Sequence, residues 1–305
     1  MNIRIGTRGS KLALAQAGII KSSLESLNRA LEIELKIIKT RGDKVLSRPL
    51  ALIEDKGLFV KEIEVALLEK KIDIGVHSLK DIPTEQPAEL MIAAIPEREI
   101  PNDAFISNEY SSLSEIKRGG VIGTSSLRRK SQLLNLRPDL VIKDIRGNMD
   151  TRLKKLDRGE YDALVLAAAG LKRLGFEERI TELLSLDSMV PAVAQGALAL
   201  ETRAGDEEIL DLCRLLTHEE TQKAVEEERE FLSLMGGGCQ VPLGCYACFK
   251  DSDFSMIGFI GDLEGKEKIS HKLRKGRNEY RGYGKHLAKL LLEEGGSRIL
   301  EKIRK

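Results

Sequence analysis

Three sets of residues in this chain have the types and spacing to do chemistry: a group of arginines, one aspartate and one cysteine. Arg8, Arg128, Arg129 and Arg146 each stand at or just after a run that reads as a strand, with Lys80, Arg152 and Arg173 elsewhere in the same two stretches. Guanidinium groups capture carboxylate or phosphate through paired hydrogen bonds. One such arginine is more simply a solvated charge on a helix face, whereas several at strand ends favour a polyanionic ligand. Neither a Walker lysine motif nor G-x-G-x-x-G is present, which argues against phosphate. Asp81 lies in Val76-His77-Ser78-Leu79-Lys80-Asp81-Ile82-Pro83, just past a strand. A carboxylate there can accept hydrogen bonds from N–H donors or balance a transient cation; the plainer alternative is a loop acid paired with Lys80. Cys239 follows Gly236-Gly237-Gly238. A glycine run admits close approach of a ligand, but no His or Lys stands beside the thiol in sequence to activate it. Cys239, Cys245 and Cys248 loosely match metal-ligand spacing, without a turn glycine between the last two or a second knuckle, and no metal is expected. Cys213 reads as a core residue, and His77 as a structural residue at a strand end.

The elements that must position these groups follow from hydrophobic periodicity. Ile3 and Ile5 alternate as a strand, Gly6-Thr7-Arg8-Gly9-Ser10 breaks it, and Ser10 is placed to cap a helix with Leu12, Ala15 and Ile19 on one face. Ile33, Leu35 and Ile37 form a strand, Phe59, Ile63 and Leu67 a helix, and Ile72, Ile74 and Val76 a strand. This alternation predicts an α/β domain with a largely parallel sheet. The stretch 96–102, with Pro96 and Pro101, predicts a crossing between domains. A second α/β unit follows: strand 121–124, helix Leu127–Leu136 entered through Ser125-Ser126 and stopped by Pro138, strand 140–144, helix 151–156 and strand 163–167. Both units open a helix from a Gly-Thr turn rich in hydroxyls, a place where free backbone N–H groups favour anions. The segment 190–201 reads as a return connection and strand, followed by a helix at 207–216. The remainder (a helix over 221–234, the glycine run, three strands and a last helix from about 285, interrupted by Gly295-Gly296) suggests a small α+β domain.

Composition limits the alternatives. The chain has 305 residues, 42% hydrophobic and 32% charged, as in an ordinary globular protein of two or three domains. Forty-nine basic against 48 acidic residues and 4% aromatics argue against a nucleic-acid binder. No apolar run approaches the roughly 20 residues that span a bilayer, and residues 1–6 carry no export signal. A cytoplasmic protein with free thiols is the expectation. Two α/β lobes would also suit a solute receptor, a reading that lacks that signal and leaves the glycine–cysteine run unexplained.

Eight ordered blocks carry a resemblance over nearly the whole chain. They are 6–16 (Gly6-Thr7-Arg8-Gly9-Ser10 onward), Gly57-Leu58-Phe59-Val60-Lys61-Glu62, 76–83, Gly123-Thr124-Ser125-Ser126-Leu127-Arg128-Arg129, Ile145-Arg146-Gly147-Asn148, Thr151-Arg152-Leu153, 170–174 and Gly237-Gly238-Cys239-Gln240-Val241-Pro242-Leu243-Gly244. In these the chain resembles the porphobilinogen deaminase (hydroxymethylbilane synthase) family. The resemblance implies two periplasmic-binding-protein-like α/β domains and a small α+β domain, at 1–97 with 195–217, 102–191 and 219–305. It implies a dipyrromethane cofactor joined by thioether to Cys239 and gripped by Lys80, Asp81, Thr124, Ser126, Arg128, Arg129, Arg146 and Gly147. Arg8, Ser10, Arg146, Arg152 and Arg173 would bind substrate and Asp81 would be catalytic. Four porphobilinogen molecules are condensed head to tail with loss of ammonia, and hydroxymethylbilane is released for tetrapyrrole biosynthesis. The implied enzyme is a monomeric transferase that binds neither membrane nor nucleic acid and passes its product to uroporphyrinogen-III synthase. Ala194 and Ala199 depart from the family pattern, standing where glycine is expected.

Overall fold

A computed structural model describes residues 1–40, 60–236 and 240–304. The first elements follow the alternation of the sequence. In β1 (Asn2–Thr7), Ile3 and Ile5 are buried and the chain then turns into α1 (Lys11–Leu27), whose N-cap is Ser10, accepting from Ala13 N at 3.3 Å. After it come β2 (Glu32–Ile37), α2 (Lys61–Leu68), β3 (Ile74–Ser78) and β4 (Leu90–Ala94). The buried stripe of α1 is Ala13, Gln16, Ala17, Ile20 and Leu24, one position on from the expected Leu12–Ala15–Ile19 face, and Ile19 is exposed. Apolar residues occupy both sides of this helix, so the period alone does not choose between them. Gln16 tolerates burial because its amide donates to Ser78 Oγ at 2.9 Å. Phe59, expected on α2, lies outside the described residues.

The chain then builds β5 (Asp103–Ile106), β6 (Val121–Gly123), α3 (Leu127–Leu136), β7 (Val141–Lys143), α4 (Met149–Asp157), β8 (Ala163–Ala167), α5 (Ala168–Arg173) and β9 (Glu182–Leu183). It returns through β10 (Leu198–Arg203) and α6 (Glu207–Arg214). Strand orders are β2-β1-β3-β10-β4 in one sheet and β7-β6-β8-β5-β9 in the other. Each sheet is mixed rather than largely parallel: β1, β2 and β3 are parallel, as are β6, β7 and β8, but β10 and β5 run antiparallel to their neighbours. The antiparallel strands are the ones by which the chain enters the second sheet and re-enters the first. That connectivity leaves no local trace in the sequence.

By compactness the described chain falls into two units, with boundaries between Glu99 and Ile100, Gln195 and Gly196, and Gln222 and Lys223. The first is centred on Ile3, Ile5, Ile20, Leu24, Ile74 and Leu200. The second has Phe105, Ile122, Leu133 and Val165 on one side of its α/β sheet and Ile106, Leu153, Leu164 and Leu171 on the other. It also holds α7 (Glu219–Leu234), β11 (Leu243–Lys250), β12 (Asp253–Gly261), β13 (Lys268–Gly276), α8 (Tyr283–Leu291) and α9 (Ser297–Arg304). These strands form an antiparallel meander, β11-β12-β13. A π-turn over Leu292–Gly296, with Gly295 at φ 114°, separates α8 from α9 where the paired glycines predict a break.

The meander is fastened to the segment that leads back toward β10. Cys245 N donates to Pro191 O at 2.9 Å, and fully buried Glu228 of α7 accepts from Ala194 N at 2.6 Å and Ala247 N at 2.8 Å. Ala194 has φ 58°, a left-handed conformation that glycine adopts without strain. This accounts for the expectation of glycine there. Among the described residues, no helix is long and apolar enough to cross a membrane.

Candidate functional site

In the first unit, two strand ends make a pocket. β1 delivers Arg8 and, at the start of α1, Ser10; β3 delivers His77 and Ser78 and continues into a 3₁₀ turn, Leu79–Asp81. Arg8, Ser10, Gln16, His77, Ser78 and Asp81 line one concavity of about 410 Å³, its open mouth included. Leu79 N is held by Ala197 O at 3.0 Å, so the turn bearing Asp81 is tied to the residue just before β10. Asp81 and Lys80 are exposed, and Lys80 is not part of the pocket lining. The arrangement offers a guanidinium and a helix N-terminus to an anion, with one accessible carboxylate beside them.

Behind this pocket lies a buried acid–imidazole pair that the sequence does not announce. His77 Nε2 and Glu201 Oε2 are 3.1 Å apart, both side chains are almost wholly buried, and Gln86 Nε2 donates to Glu201 Oε1 at 2.8 Å. Burial raises the Glu64 carboxyl, and the charge of Glu201 raises it further against the opposing effect of His77. Gly75 makes the pair possible: a Cβ there would lie 2.9 Å from His77 Nε2 and 2.8 Å from Ile63 Cγ2. His77 is structural, as its place at a strand end suggests, and it is also a wall of the pocket. Glu201 was beyond reach of sequence reasoning because β10 meets β3 only through a long-range antiparallel register.

The second unit has its own cluster at the corresponding strand ends. Ser126 is the N-cap of α3, accepting from Arg129 N at 3.4 Å, while Thr124, almost fully buried, accepts from Ser126 N at 3.3 Å. Arg128 and Arg129 turn inward onto Asp103, the first residue of β5 and fully buried. Arg128 Nη1 lies 2.8 Å from Asp103 Oδ2 and donates to Val190 O at 2.6 Å. Arg129 Nε and Nη2 reach Asp103 Oδ1 at 3.0 and 2.8 Å. Burial works against ionisation of Asp103, but the charges and hydrogen bonds of the two arginines outweigh it and hold the carboxyl far below the usual carboxylate range. Burial lowers Arg128, and Asp103 opposes that fall. Asp103 is the residue sequence analysis missed. It lies remote from both arginines in the chain, and only strand pairing brings it to α3.

Arg146, Gly147 and Arg152 form the entrance to α4. Gly147 has φ 106°, and a Cβ there would lie 2.7 Å from Thr151 Cγ2, so this turn requires glycine. Its carbonyl accepts from Arg152 Nε at 2.9 Å, and Asn148 caps the helix through Thr151 N. Burial, then repulsion from Arg129 and Arg146, pulls Arg152 down to about 10. Arg129 and Arg146 thus stand close enough to Arg152 to repel it, an arrangement that an anion relieves. Arg173, half-buried, ends α5.

Cys239 lies outside the described residues, between α7 and β11 in the chain. Gly236, just before it, has its carbonyl held by Arg304 Nη2 at 2.9 Å. Cys245 is buried and Cys248 half-buried, both on β11. The flanks of Cys239 belong to the same compact unit as the Arg129–Arg146–Arg152 cluster.

The fold defines an α/β protein of two five-stranded mixed sheets and a three-stranded meander, with arginine and hydroxyl side chains at the strand ends of both mixed sheets. The family model described as "Porphobilinogen deaminase, dipyromethane cofactor binding domain" matches residues 3–211, and "Porphobilinogen deaminase, C-terminal domain" matches residues 222–293. The chain belongs to the porphobilinogen deaminase family, the deaminases of tetrapyrrole synthesis, a class of transferases acting on porphobilinogen. Its cofactor is a dipyrromethane. Among solved structures, the chain is similar to a putative methionine-binding lipoprotein from Bacillus subtilis, at 14% identity and TM-score 0.42, covering 69% of this chain and 87% of that one. It is also similar to a TRAP periplasmic solute binding protein from Desulfovibrio salexigens, at 12% identity and TM-score 0.44, covering 72% and 73%. A third is a nutrient binding protein from Burkholderia cenocepacia bound to methionine, at 13% identity and TM-score 0.44, covering 70% and 90%.

The residues present fit the cofactor. A dipyrromethane bearing acetate and propionate groups is a compact polycarboxylate. The donor set of the second unit is hydroxyls at a helix N-terminus beside Arg152 and the two guanidinium groups that repel it.

Proposed function

We propose that this chain condenses four porphobilinogen molecules head to tail, releasing one ammonia at each addition, and liberates hydroxymethylbilane by hydrolysis. The observation that carries this reading is the convergence of Arg8, Ser10 and Asp81 on one pocket in a chain of this family. The cofactor, attached through the Cys239 sulfur, supplies the pyrrole terminus from which the chain grows. Thr124, Ser126, Arg129, Arg146 and the Gly147 turn hold its carboxylates, and Lys80 and Asp81 are the remaining cofactor-binding residues of the proposal. Arg128 fixes the scaffold behind them through Val190 and Asp103. Arg8, Ser10, Arg146, Arg152 and Arg173 hold the acetate and propionate groups of incoming rings.

Asp81 is the catalytic group in this reading. Departure of ammonia from porphobilinogen leaves a positive charge conjugated with the pyrrole N–H. A fixed carboxylate accepts that N–H and stabilises the charge without reorganising. The same carboxylate oxygens take the proton lost from the coupled ring carbon. The three-domain division, a monomeric state, a cytoplasmic location and transfer of the product to uroporphyrinogen-III synthase complete the proposal. The test is a turnover assay in which ammonia release and porphobilinogen consumption are followed together. Equal molar amounts support the reading, and consumption without ammonia overturns it.

A further inference from the structure

The Asp103 network has a feature that holding two arginines does not require. Gln195, almost fully buried, donates from Nε2 both to Asp103 Oδ1 at 2.9 Å and to Pro101 O at 2.7 Å. Pro101 lies just after the point where the chain enters the second unit, and Gln195 is the residue at which it leaves. One amide therefore joins the incoming segment, the outgoing segment and the carboxylate that orients Arg128 and Arg129. Gln132, one turn along α3 from Arg128, locks the outgoing segment from the other side. It donates to Val190 O at 3.0 Å and accepts from Val190 N at 2.8 Å. A carboxylate meant only to neutralise charge needs none of this. A network in which a buried acid accepts hydrogen bonds from Arg129 and Gln195 and pairs with Arg128, on two segments, fixes direction.

We propose that Asp103 and Gln195 are positioning residues for the anion site. In this arrangement Asp103 takes the Nε/Nη2 edge of Arg129 and thereby sets the direction of that guanidinium toward Arg146 and Arg152, while Gln195 holds Asp103 in register with both crossing segments. Arg129 is felt by Arg152 as a repelling charge, so its position bears on the whole cluster. The inference rests on the reading of that cluster as an anion site, and it adds two residues that contact no ligand.

The test uses the full chain with Cys239→Ser, so that no covalent group fills the site, and citrate as the anion, at low ionic strength to limit screening. Citrate affinity is measured by calorimetry in this parent and with Gln195→Leu added, and melting temperature is followed in parallel. The expected result is a loss of about tenfold in citrate affinity with Gln195→Leu, a larger loss with Asp103→Asn, and a Gln195→Leu protein that is still folded at the assay temperature with its melting temperature lowered by only a few degrees. Citrate binding by Gln195→Leu within twofold of the parent overturns the proposal, as does a parent that binds no citrate. Should Asp103→Asn fail to fold, Gln195→Leu alone decides. The mass of the protein with Cys239 intact is read separately. An unmodified Cys239 removes the functional reading, while the citrate comparison still judges the positioning role.

Discussion

The two α/β sheets share a strand order and differ in where they keep their acid. In the first, Leu198 pairs with the last residue of β3, Ser78; in the second, Asp103 pairs with the last residue of β8, Ala167. At this equivalent place one sheet carries an apolar side chain and the other a buried carboxylate. The first sheet buries its own acid, Glu201, against His77, and carries a second acid, Asp81, out on a turn and exposed. An acid placed in solvent at the rim of a pocket is available to a reacting molecule, whereas an acid sealed among guanidinium groups serves only to orient them. In the proposed function, the same topology serves a passing positive charge in one sheet and standing negative charge in the other.

The largest effect is expected from removing the exposed acid. Asp81→Asn leaves size and fold unchanged, and porphobilinogen turnover falls by about a hundredfold or more; near-normal turnover would erase the distinction between the two acids. Arg146→Leu comes next. It removes one of the repelling guanidinium groups, and assembly of the covalent adduct or its extension stops, as seen in the mass of the purified protein; normal extension would show that this arginine grips no carboxylate. Asp103→Asn is expected to act on stability as well as on anion affinity. Two buried guanidinium groups lose their counter-ion, at a cost of about 3 kcal/mol in chemical denaturation near neutral pH. The pH dependence gives its sign. The folded Asp103 carboxyl lies below the value of a free aspartate, so its contribution is complete above about pH 4 and is lost as pH falls toward the depressed value. The gap between wild type and Asp103→Asn should therefore close on acidification; a gap that widened would contradict the ion-pair account.

The smallest effect lies in the segment between the two sheets. Ala194→Gly releases a non-glycine residue from φ 58° and should stabilise the protein by about 1 kcal/mol, read as a rise in melting temperature. A fall would mean that the freedom glycine gives the unfolded chain outweighs the strain it relieves at this position.

These comparisons also separate what the sequence discloses from what it conceals. Ser10 and Ser126 cap their helices as their hydroxyls and the following apolar periods imply, and α3 occupies the expected Leu127–Leu136. Such signals are local. β5 is buried at every residue and four residues long, so it has no alternation to detect; β9 has only two residues. β4 sits in a stretch where Pro83, Pro87 and Pro96 dominate. Asp103 and Glu201 are legible only once antiparallel strands bring them to Arg129 and His77. Half-buried Arg8 and exposed Lys80 and Asp81 were legible as candidates because strand-end charges next to glycine and hydroxyl residues have few structural uses. The family blocks supplied what spacing did not, the identity of the anion.

The account stands most directly on the mass of the intact purified protein. It predicts a wild-type mass above that of the 305-residue sequence by one dipyrromethane group, and a Cys239→Ser protein at its sequence mass with no turnover. A wild type at its sequence mass that still consumes porphobilinogen would contradict it.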